Sequence, residues 1–412
     1  MRINGRYSLR SRAIKQLDHQ ITPRHFTTFD GHKLPIRGPF TQAVCQHGTA
    51  VLYVSQPGEV PLYYSTTPGW IHWHEQKLAL PGSPQRLNQG EALIWTPHSL
   101  RVQRVDELPQ PEIRHPMPID QAVEEYKSQI LNAVSARLDD STAPVAVSQS
   151  GGIDSLMVAW ALLQLGRKFV PMTVCTGMDD PDISVAMDAL SQMNAPEPIP
   201  IVIQAQKVES LLKEALLCFE DVSDGNIKMA IGNLLMARKC QELGIQYIFN
   251  GHAQDDLQGV GGLAIGNFRK KVHGTTSERW RDTRRKETQD ATGMVKMFSA
   301  TFRRYGIQVR MPFYDADLLE WAFAQPIEVI PVHHAKPFAR SVACSILPPG
   351  PWQNPKYNST GYITGAGFYE DRLRDLVESK LKHSRAFLHD LKNLGWSKIA
   401  ILHASVEFPQ ID

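Results

Sequence analysis

The sequence is poor in cysteine and lacks any long apolar run, and these two absences already restrict its class. Its five cysteines are odd in number, widely separated and without a C-x-x-C pair, so they support neither a disulfide framework nor a zinc ribbon. A reducing, cytoplasmic location is therefore expected. The longest apolar run, residues 156–163, is far shorter than the ~20 residues of a membrane span, and the polar first residues lack the apolar core of a signal peptide. We expect no membrane contact and no export by that route.

An excess of charge of one sign is also missing. The 412 residues carry 44 Lys and Arg against 42 Asp and Glu, a net charge of +2, so the chain as a whole gives no sign of a nucleic-acid partner. With 42% hydrophobic residues the composition is that of a globular protein. At a prior of ~150 residues per domain the length predicts two or three domains.

The chain divides into two regions that differ in composition and hydrophobic pattern. Residues 1–115 are rich in Pro, Gly, His and Trp and contain short β-type runs such as AVLYVS, WIHWH and EALIWT, which predict a small antiparallel β-rich domain. A proline-rich strip, residues 107–118, is the predicted linker. Residues 116–412 then alternate buried β-branched strands with amphipathic helices and become mainly helical after residue 267. This pattern predicts an α/β fold with a doubly wound parallel sheet, whose ligands bind at the carboxyl ends of the strands.

The stretch VAVSQSGGIDS, residues 145–155, runs from an apolar strand straight into a helix. A Ser-Gly-Gly turn in that position aims backbone N–H groups at an anion in front of a helix end. The candidate phosphate-binding residues are Ser148, Ser150, Gly151, Gly152, Asp154 and Ser155. Asp154 is also a candidate Mg²⁺ ligand. The chain has no Gly-Lys pair, which excludes a Walker A loop; an ordinary capped turn is the alternative.

The S-G-G-I-D-S loop resembles the pyrophosphate loop of the ATP pyrophosphatases, and this resemblance implies ATP and Mg²⁺ as cofactors. A second segment, YIFNGHAQDDLQGVGG, is similar to the G-x-G-x-D-x-x-x-G-G segment of asparagine synthetases and β-lactam synthetases. That match implies that Asp255 binds the same metal as Asp154. Three later segments are also similar to these enzymes: VRMPFYDADLLEWAFAQP, HAKPFAR and PWQNPKYNSTGYITGAGF.

By this resemblance, which runs over residues 119–368, Lys336 lies near the phosphates and Arg340 supports it. Lys356 would be the catalytic lysine of a loop. A helix-surface lysine and a polar-loop lysine, respectively, are the alternatives for Lys336 and Lys356. The resemblance implies an ATP-pyrophosphatase-type fold preceded by a shortened glutaminase-like domain in residues 1–115.

Asparagine synthetases have a nucleophilic cysteine directly after the initiator methionine, whereas here Arg2 follows Met1 and the first cysteine is Cys45. An internal cysteine cannot use its own amine as base, so we do not expect glutamine hydrolysis. The amine would then come from the substrate itself, as in β-lactam synthetases. The expected function is an AMP-forming ligase that closes a β-lactam within a small amino-acid-derived substrate in antibiotic or phytotoxin biosynthesis. A lasso-peptide-type macrolactam synthetase and an ammonia-dependent asparagine-type synthetase remain alternatives.

Two assignments stay open at this point. His252 occupies the place where asparagine synthetases have Glu and β-lactam synthetases have Tyr, so it is a candidate base for the attacking amine. It could equally be a neutral residue that shapes the pocket. The basic run in residues 269–286 is interpreted as a solvated or disordered insertion, with an RNA contact as the alternative. No nucleic-acid partner is predicted, and the oligomeric state is open.

Overall fold

The computed structural model covers two structurally different parts of the chain. It describes residues 5–8, 25–29, 32–36, 41–46, 48–56, 58, 60–138, 142–175, 177–204, 207, 210–211, 214–215, 218, 224–258, 272–330 and 337–346. Antiparallel strands make up the first part, and a parallel sheet with helices makes up the second.

Among its described residues, the first part contains ten strands, all paired antiparallel. They are β1 (Gly5–Ser8), β2 (His25–Phe29), β3 (His32–Ile36), β4 (Thr41–Gln46), β5 (Thr49–Val54), β6 (Leu62–Thr67), β7 (Trp70–His74), β8 (Gln85–Leu87), β9 (Glu91–Thr96) and β10 (Ser99–Arg104). One sheet has the order β1-β7-β6-β8 and a second has the order β10-β9-β5-β4, while β2 and β3 form a separate hairpin.

The two four-stranded sheets share one apolar core. Leu62 and Ile71 of the first sheet pack in the same buried cluster as Leu52 and Leu93 of the second. The opposite face of the second sheet, which includes Tyr53, is covered by the hairpin. Both faces of β5 are therefore buried, which explains its continuous apolar run.

The second part is built on a five-stranded sheet in which every pair is parallel. Its strands are β11 (Val145–Ser148), β12 (Phe169–Cys175), β13 (Ile199–Val202), β14 (Tyr247–Phe249) and β15 (Gln308–Arg310). The order is β13-β12-β11-β14-β15. The chain therefore moves outward on one side of β11 and then resumes on its other side with β14. A crevice for ligands forms at such a switch point, outside the carboxyl ends of β11 and β14.

Helices surround this sheet. They are α1 (Ile119–Ser135), α2 (Ile153–Gln164), α3 (Pro181–Gln192), α4 (Asp224–Glu242), α5 (Gln254–Leu257), α6 (Ser277–Arg303), α7 (Ala316–Ala324) and α8 (Pro337–Ile346). Helix α1 packs against α2, α7 and α8, and α4 packs against α6. Within the described residues, no helix is both long and apolar enough to cross a membrane.

The proline-rich strip between the two parts is fixed to the second part. Leu108 is buried in the core of the α/β part, and the Arg114 backbone N–H donates to the carbonyl of Ala324 at 2.8 Å. Arg303, near the end of α6, forms a 3.0 Å ion pair with the buried Glu75 that follows β7. The division after residue 115 stays a prediction, but the strip from Leu108 onward packs with the α/β part.

The predicted alternation of strands and helices is confirmed for the elements from β11 to β14, with ends that differ by a few residues. The parallel α/β sheet is likewise confirmed. A helix was also expected over residues 207–219, and much of that stretch lies outside the described residues.

Candidate active site

The loop between β11 and α2 leaves the amino end of α2 open. The N-cap residue, Gly152, has no side chain to bond the first N–H groups. The unpaired N–H groups and the dipole of a helix start attract an anion. This end of α2, directly behind the carboxyl end of β11, therefore has the geometry that phosphate binding requires.

Two of the predicted phosphate-loop serines brace the loop. The Ser155 hydroxyl donates to the Gly152 carbonyl at 2.9 Å and accepts the Ser150 backbone N–H at 3.3 Å. The Ser150 hydroxyl in turn accepts the Gly152 backbone N–H at 3.3 Å. These bonds hold the turn in shape. Ser148, at the end of β11, is half-buried.

Gly151 is required by its backbone conformation and by its surroundings. Its φ of +68° lies in the left-handed region, which side chains other than Gly rarely adopt. A Cβ at this position would come within 2.9 Å of Val185 Cγ1 and 3.0 Å of the Ala186 nitrogen, both in α3. The loop therefore rests directly on α3, and no side chain at Gly151 stands in front of α2.

The segment after β14 touches the start of α2. The Asn250 side-chain oxygen accepts the His252 backbone N–H at 2.8 Å, an Asx turn that fixes the reversal of the chain. A Cβ on Gly251 would come within 2.7 Å of the Asp154 carbonyl carbon and 2.9 Å of the Ser155 nitrogen. The backbones of the two predicted motifs thus meet without a side chain between them.

The two predicted metal ligands share one electrostatic environment. Asp154 lies in the first turn of α2 and Asp255 in the first turn of α5. Burial lowers the pKa of Arg340, and the negative charges of Asp154 and Asp255 partly offset that effect. Arg340 is on α8, which packs against α2. The structure therefore places both carboxylates within electrostatic range of one guanidinium group.

Tyr126 of α1 is a further neighbour of Asp154. Burial, together with the charge of Asp154, raises the pKa of the Tyr126 hydroxyl well above its usual value. The tyrosine ring stacks on Trp321 at 5.2 Å between centroids and lies 5.9 Å from Phe338. Aromatic packing therefore forms the wall behind Asp154. Sequence reasoning missed Tyr126, because a tyrosine on a helical apolar face looks like any core residue.

These residues fit a nucleotide-bound Mg²⁺ ion. Carboxylate oxygens are the protein ligands that Mg²⁺ prefers, and it usually takes one or two of them together with phosphate oxygens and water. No group of three or more potential ligands gathers among the His, Cys, Asp and Glu residues that the structure describes. Asp154 and Asp255 would therefore hold the ion jointly with phosphates bound at the open end of α2.

His252 lies at the edge of this site with its ring against aromatic side chains. The ring centroid is 5.0 Å from that of Phe298 on α6 and 5.8 Å from that of Tyr314. The side chain is half-buried. This packing orients the imidazole, and its use as a base stays a prediction.

Several predicted residues lie outside the described part of the chain. They are Lys336, Lys356, Gly261 and Gly262. Helix α8 begins at Pro337, directly after Lys336 in the sequence.

The described residues 272–286 of the basic run are ordered, and the interpretation as a solvated segment holds for exposed residues such as Arg279 and Lys286 but not for Arg284. Residues 272–286 form the start of α6 and the turn before it. Arg284 is only 1% exposed, and its guanidinium donates to the carbonyls of Ala322, Phe323 at 3.3 Å and Gln325 at 3.1 Å. It therefore caps the end of α7 together with the backbone N–H groups of Gln325, which donates to the Ala322 carbonyl, and Arg114, which donates to the Ala324 carbonyl.

Two neighbouring arginines have similar roles. Arg281 donates to the Pro111 carbonyl at 3.0 Å and Arg285 to the Leu108 carbonyl at 3.1 Å. These bonds attach the proline-rich strip to α6. These three arginines thus serve internal packing, which a count of charges along the sequence does not indicate.

Cys45, the one cysteine of the β-rich part, is buried in β4. Burial raises the pKa of its thiol to about 12. Because the thiolate is the nucleophilic form, this cysteine is inert at neutral pH.

Comparisons with known proteins bear on the family of the chain. Residues 125–303 match the family described as asparagine synthase. No curated protein matches the chain. One solved structure, U34-tRNA thiolase NcsA from Methanococcus maripaludis with its 4Fe-4S cluster, is 13% identical, with 66% of this chain and 80% of that chain covered and a TM-score of 0.31. A likeness at that level supports no argument about function. The matched residues 125–303 contain both Asp154 and Asp255, and this match supports the asparagine synthetase family that the motifs predicted.

Proposed function

We propose that this protein is an ATP- and Mg²⁺-dependent ligase that forms an amide bond within one small amino-acid-derived substrate, closing a β-lactam. The match to the asparagine synthase family supports ATP-dependent carbon–nitrogen bond formation. The β-lactam and a role in antibiotic or phytotoxin biosynthesis rest on the sequence motifs. Tabtoxinine β-lactam synthetase is one enzyme of that kind that the sequence resembles.

One observation carries the proposal: the close approach of Gly251 to the backbone of Asp154 and Ser155. This contact brings the segment that bears Asp255 against the open amino end of α2. An anion-binding helix end and two carboxylates for a cation then lie side by side. That combination suits the triphosphate of a nucleotide better than it suits an uncharged ligand.

The reaction has two steps. The substrate carboxylate attacks the α-phosphorus of ATP, and pyrophosphate leaves to give an acyl-adenylate. The substrate nitrogen then attacks the carbonyl carbon, and AMP leaves as the amide bond forms. When bound, Mg²⁺ neutralises phosphate charge during the first step.

The residues of the chain act around these steps. The N–H groups at the start of α2 bind phosphate oxygens, and Arg340 balances the two carboxylates. His252 accepts the proton of the attacking nitrogen, because a neutral imidazole is available as a base near pH 7. Lys356 stabilises the charge that develops in the transition state.

The source of the nitrogen follows from the β-rich part. Cys45 is buried and inert, so the described strands supply no thiolate for glutamine hydrolysis. An amine within the substrate needs no separate ammonia site, and intramolecular attack has a high effective concentration once the chain is held in place.

The test is ATP–pyrophosphate exchange with the purified protein. Small diamino acids, short peptides and aspartate are each supplied with and without ammonia, and the products are identified by mass. Exchange with a diamino acid, followed by loss of one water from it without ammonia, is the expected result. A product that requires ammonia would replace the proposal with an asparagine-type synthetase, and cyclisation of peptides alone would indicate a macrolactam synthetase. No exchange with any carboxylate would reject adenylation.

A further inference from the structure

The amino end of α8 is capped by the side chain of Gln258, the residue that follows α5. Gln258 Oε1 accepts the backbone N–H groups of Phe338 at 3.1 Å and Ala339 at 3.3 Å. Pro337 has no N–H group, so these are the first two donors that α8 presents. One amide oxygen therefore satisfies the start of a ten-residue helix.

Gln258 is itself held rigidly. It ends α5, the short helix that bears Asp255 in its first turn. Its side chain is 4% exposed, and its Nε2 donates to the Gln254 carbonyl at 3.5 Å. Gln258 therefore cannot move independently of the segment that carries Asp255.

The helix that Gln258 caps carries charge to the same site. Arg340 lies in the first turn of α8 and interacts with the charges of both Asp154 and Asp255. Phe338, whose N–H is one of the two capped groups, packs against Trp321 and Tyr126 at 5.4 Å and 5.9 Å between centroids. A shift of the start of α8 would therefore displace Arg340 relative to both carboxylates.

We propose that Gln258 is a positioning residue, which fixes α8 to the Asp255 loop and thereby sets where Arg340 stands relative to Asp154 and Asp255. The inference rests on the proposed function, since it assigns Gln258 a part in binding Mg·ATP.

The test compares two variants of nearly equal length. Gln258→Met removes the acceptor, and Gln258→Glu keeps an oxygen for the same N–H groups. In ATP–pyrophosphate exchange, we expect Gln258→Met to raise the half-saturating concentration of Mg·ATP about five- to tenfold, because Arg340 is then no longer fixed relative to the two carboxylates and part of the cap free energy is lost from binding. Gln258→Glu should restore it to within about threefold of wild type, because a carboxylate also caps a helix start.

The matched control is Ser345→Ala, which removes the 2.7 Å bond from the Ser345 hydroxyl to the Val342 carbonyl at the other end of α8. It should leave half-saturation unchanged. A purely structural role for Gln258 predicts that Gln258→Met lowers the melting temperature and leaves half-saturation at the wild-type value; that result would overturn the proposal.

A double-mutant cycle asks whether Gln258 acts through Arg340. If it does, Gln258→Met should change half-saturation by less than about twofold in an Arg340→Met background, because coupled residues are not additive. Full additivity would overturn the inference. Absence of exchange in the wild type would instead reject the proposed function.

Hydrogen exchange on the wild-type chain needs no variant. The amide hydrogens of Phe338 and Ala339 should be protected to the same degree as that of Gln258, because the three belong to one connected unit. Rapid exchange at both capped amides, with Gln258 protected, would show that the cap does not hold α8 and would overturn the proposal even if Gln258→Met failed to fold.

Discussion

Two charged regions of this molecule use their charges for opposite purposes. The acidic residues Asp154 and Asp255 are gathered at the crevice between β11 and β14, where backbone contacts hold them around Arg340. Three arginines of α6 instead donate to backbone carbonyl groups, since Arg284 caps α7 and Arg281 and Arg285 bond to the proline-rich strip. The sequence alone does not distinguish the two regions, which differ in the groups that their charged side chains contact.

The difference shows how a binding charge can be distinguished from a structural one. Arg284 has carbonyl partners that would be left unsatisfied without it, and burial lowers the pKa of its guanidinium to about 9. The negative charge of Asp255 instead acts on Arg340, whose pKa it raises. Removing the first charge should therefore affect folding, and removing the second should affect the reaction.

The largest expected effect is that of Asp255→Asn. The isosteric amide keeps the volume but removes the charge that would bind Mg²⁺, so ATP–pyrophosphate exchange should fall by about two to three orders of magnitude. The urea midpoint should stay close to the wild-type value, because the side chain keeps its volume and Asp154 remains as a counter-charge for Arg340.

Asp282→Asn is the matched control, because Asp282 lies on α6 with an exposed side chain that pairs with Arg281. Exchange should be unchanged in this variant. If Asp255→Asn retained more than about a tenth of the activity, Asp255 would be a structural charge and the contrast between the two regions would fail.

The second prediction concerns Arg284→Met. This change leaves the buried carbonyls of Phe323 and Gln325 without the Arg284 donor, whereas that of Ala322 keeps the Gln325 backbone N–H, so the free energy of unfolding should fall by about 2–4 kcal/mol, the cost of two unsatisfied buried acceptors. Urea unfolding followed by circular dichroism measures the change. Lys286→Met, on an exposed position of the same helix, should change stability by less than about 0.5 kcal/mol.

A small change in Arg284→Met would show that water replaces the guanidinium at the end of α7. The basic run would then be the solvated segment that its composition suggests. The Arg284 variant should also bind Mg·ATP normally at temperatures where it is folded, whereas Asp255→Asn should not.

Gly251→Ala tests the contact that joins the two motifs. Its methyl group would lie 2.7 Å from the carbonyl carbon of Asp154, so the two backbone segments would have to move apart. A misplacement of about 1 Å in an active site costs about a hundredfold in rate. Gly166→Ala is the control: its φ is +64°, yet nothing lies within 4 Å of its Cβ. That variant should lose about 1 kcal/mol of stability and retain full exchange activity. Equal activity in both variants would mean that the Gly251 contact does not position the site.

Local sequence patterns predicted the parts of the molecule that local physics decides. The buried run before Ser148, the glycine turn and the amphipathic helix after it were all visible, and β11, the loop and α2 follow them. The parallel sheet followed from the alternation of such units. The predicted roles of His252, Lys336 and Lys356 rest on resemblance and stay predictions.

The sequence does not predict the roles of residues whose partners are distant along the chain. Arg284 reads as a surface residue, because its carbonyl partners lie 38 to 41 residues further along the chain. Gln258 likewise reads as a polar loop residue, since the N–H groups that it caps are 80 and 81 residues away. No periodicity or composition signal encodes such pairings, which only the packed structure brings together.

The smallest expected effect concerns the turn that precedes Asp255. Ala253, between His252 and Asp255, has a φ of +78°, a conformation that costs residues other than Gly about 1 kcal/mol or more. The sequence has Ala here at the second glycine position of the G-x-G pattern. Ala253→Gly should therefore raise the free energy of unfolding by about 1 kcal/mol, measured by urea unfolding. Ala136→Gly, at a helix end with a φ of −63°, should lower it by about 0.5 kcal/mol. A loss of stability in both variants would mean that Ala253 is unstrained, and the turn that presents Asp255 would then be held by the Asn250 and Gly251 contacts alone.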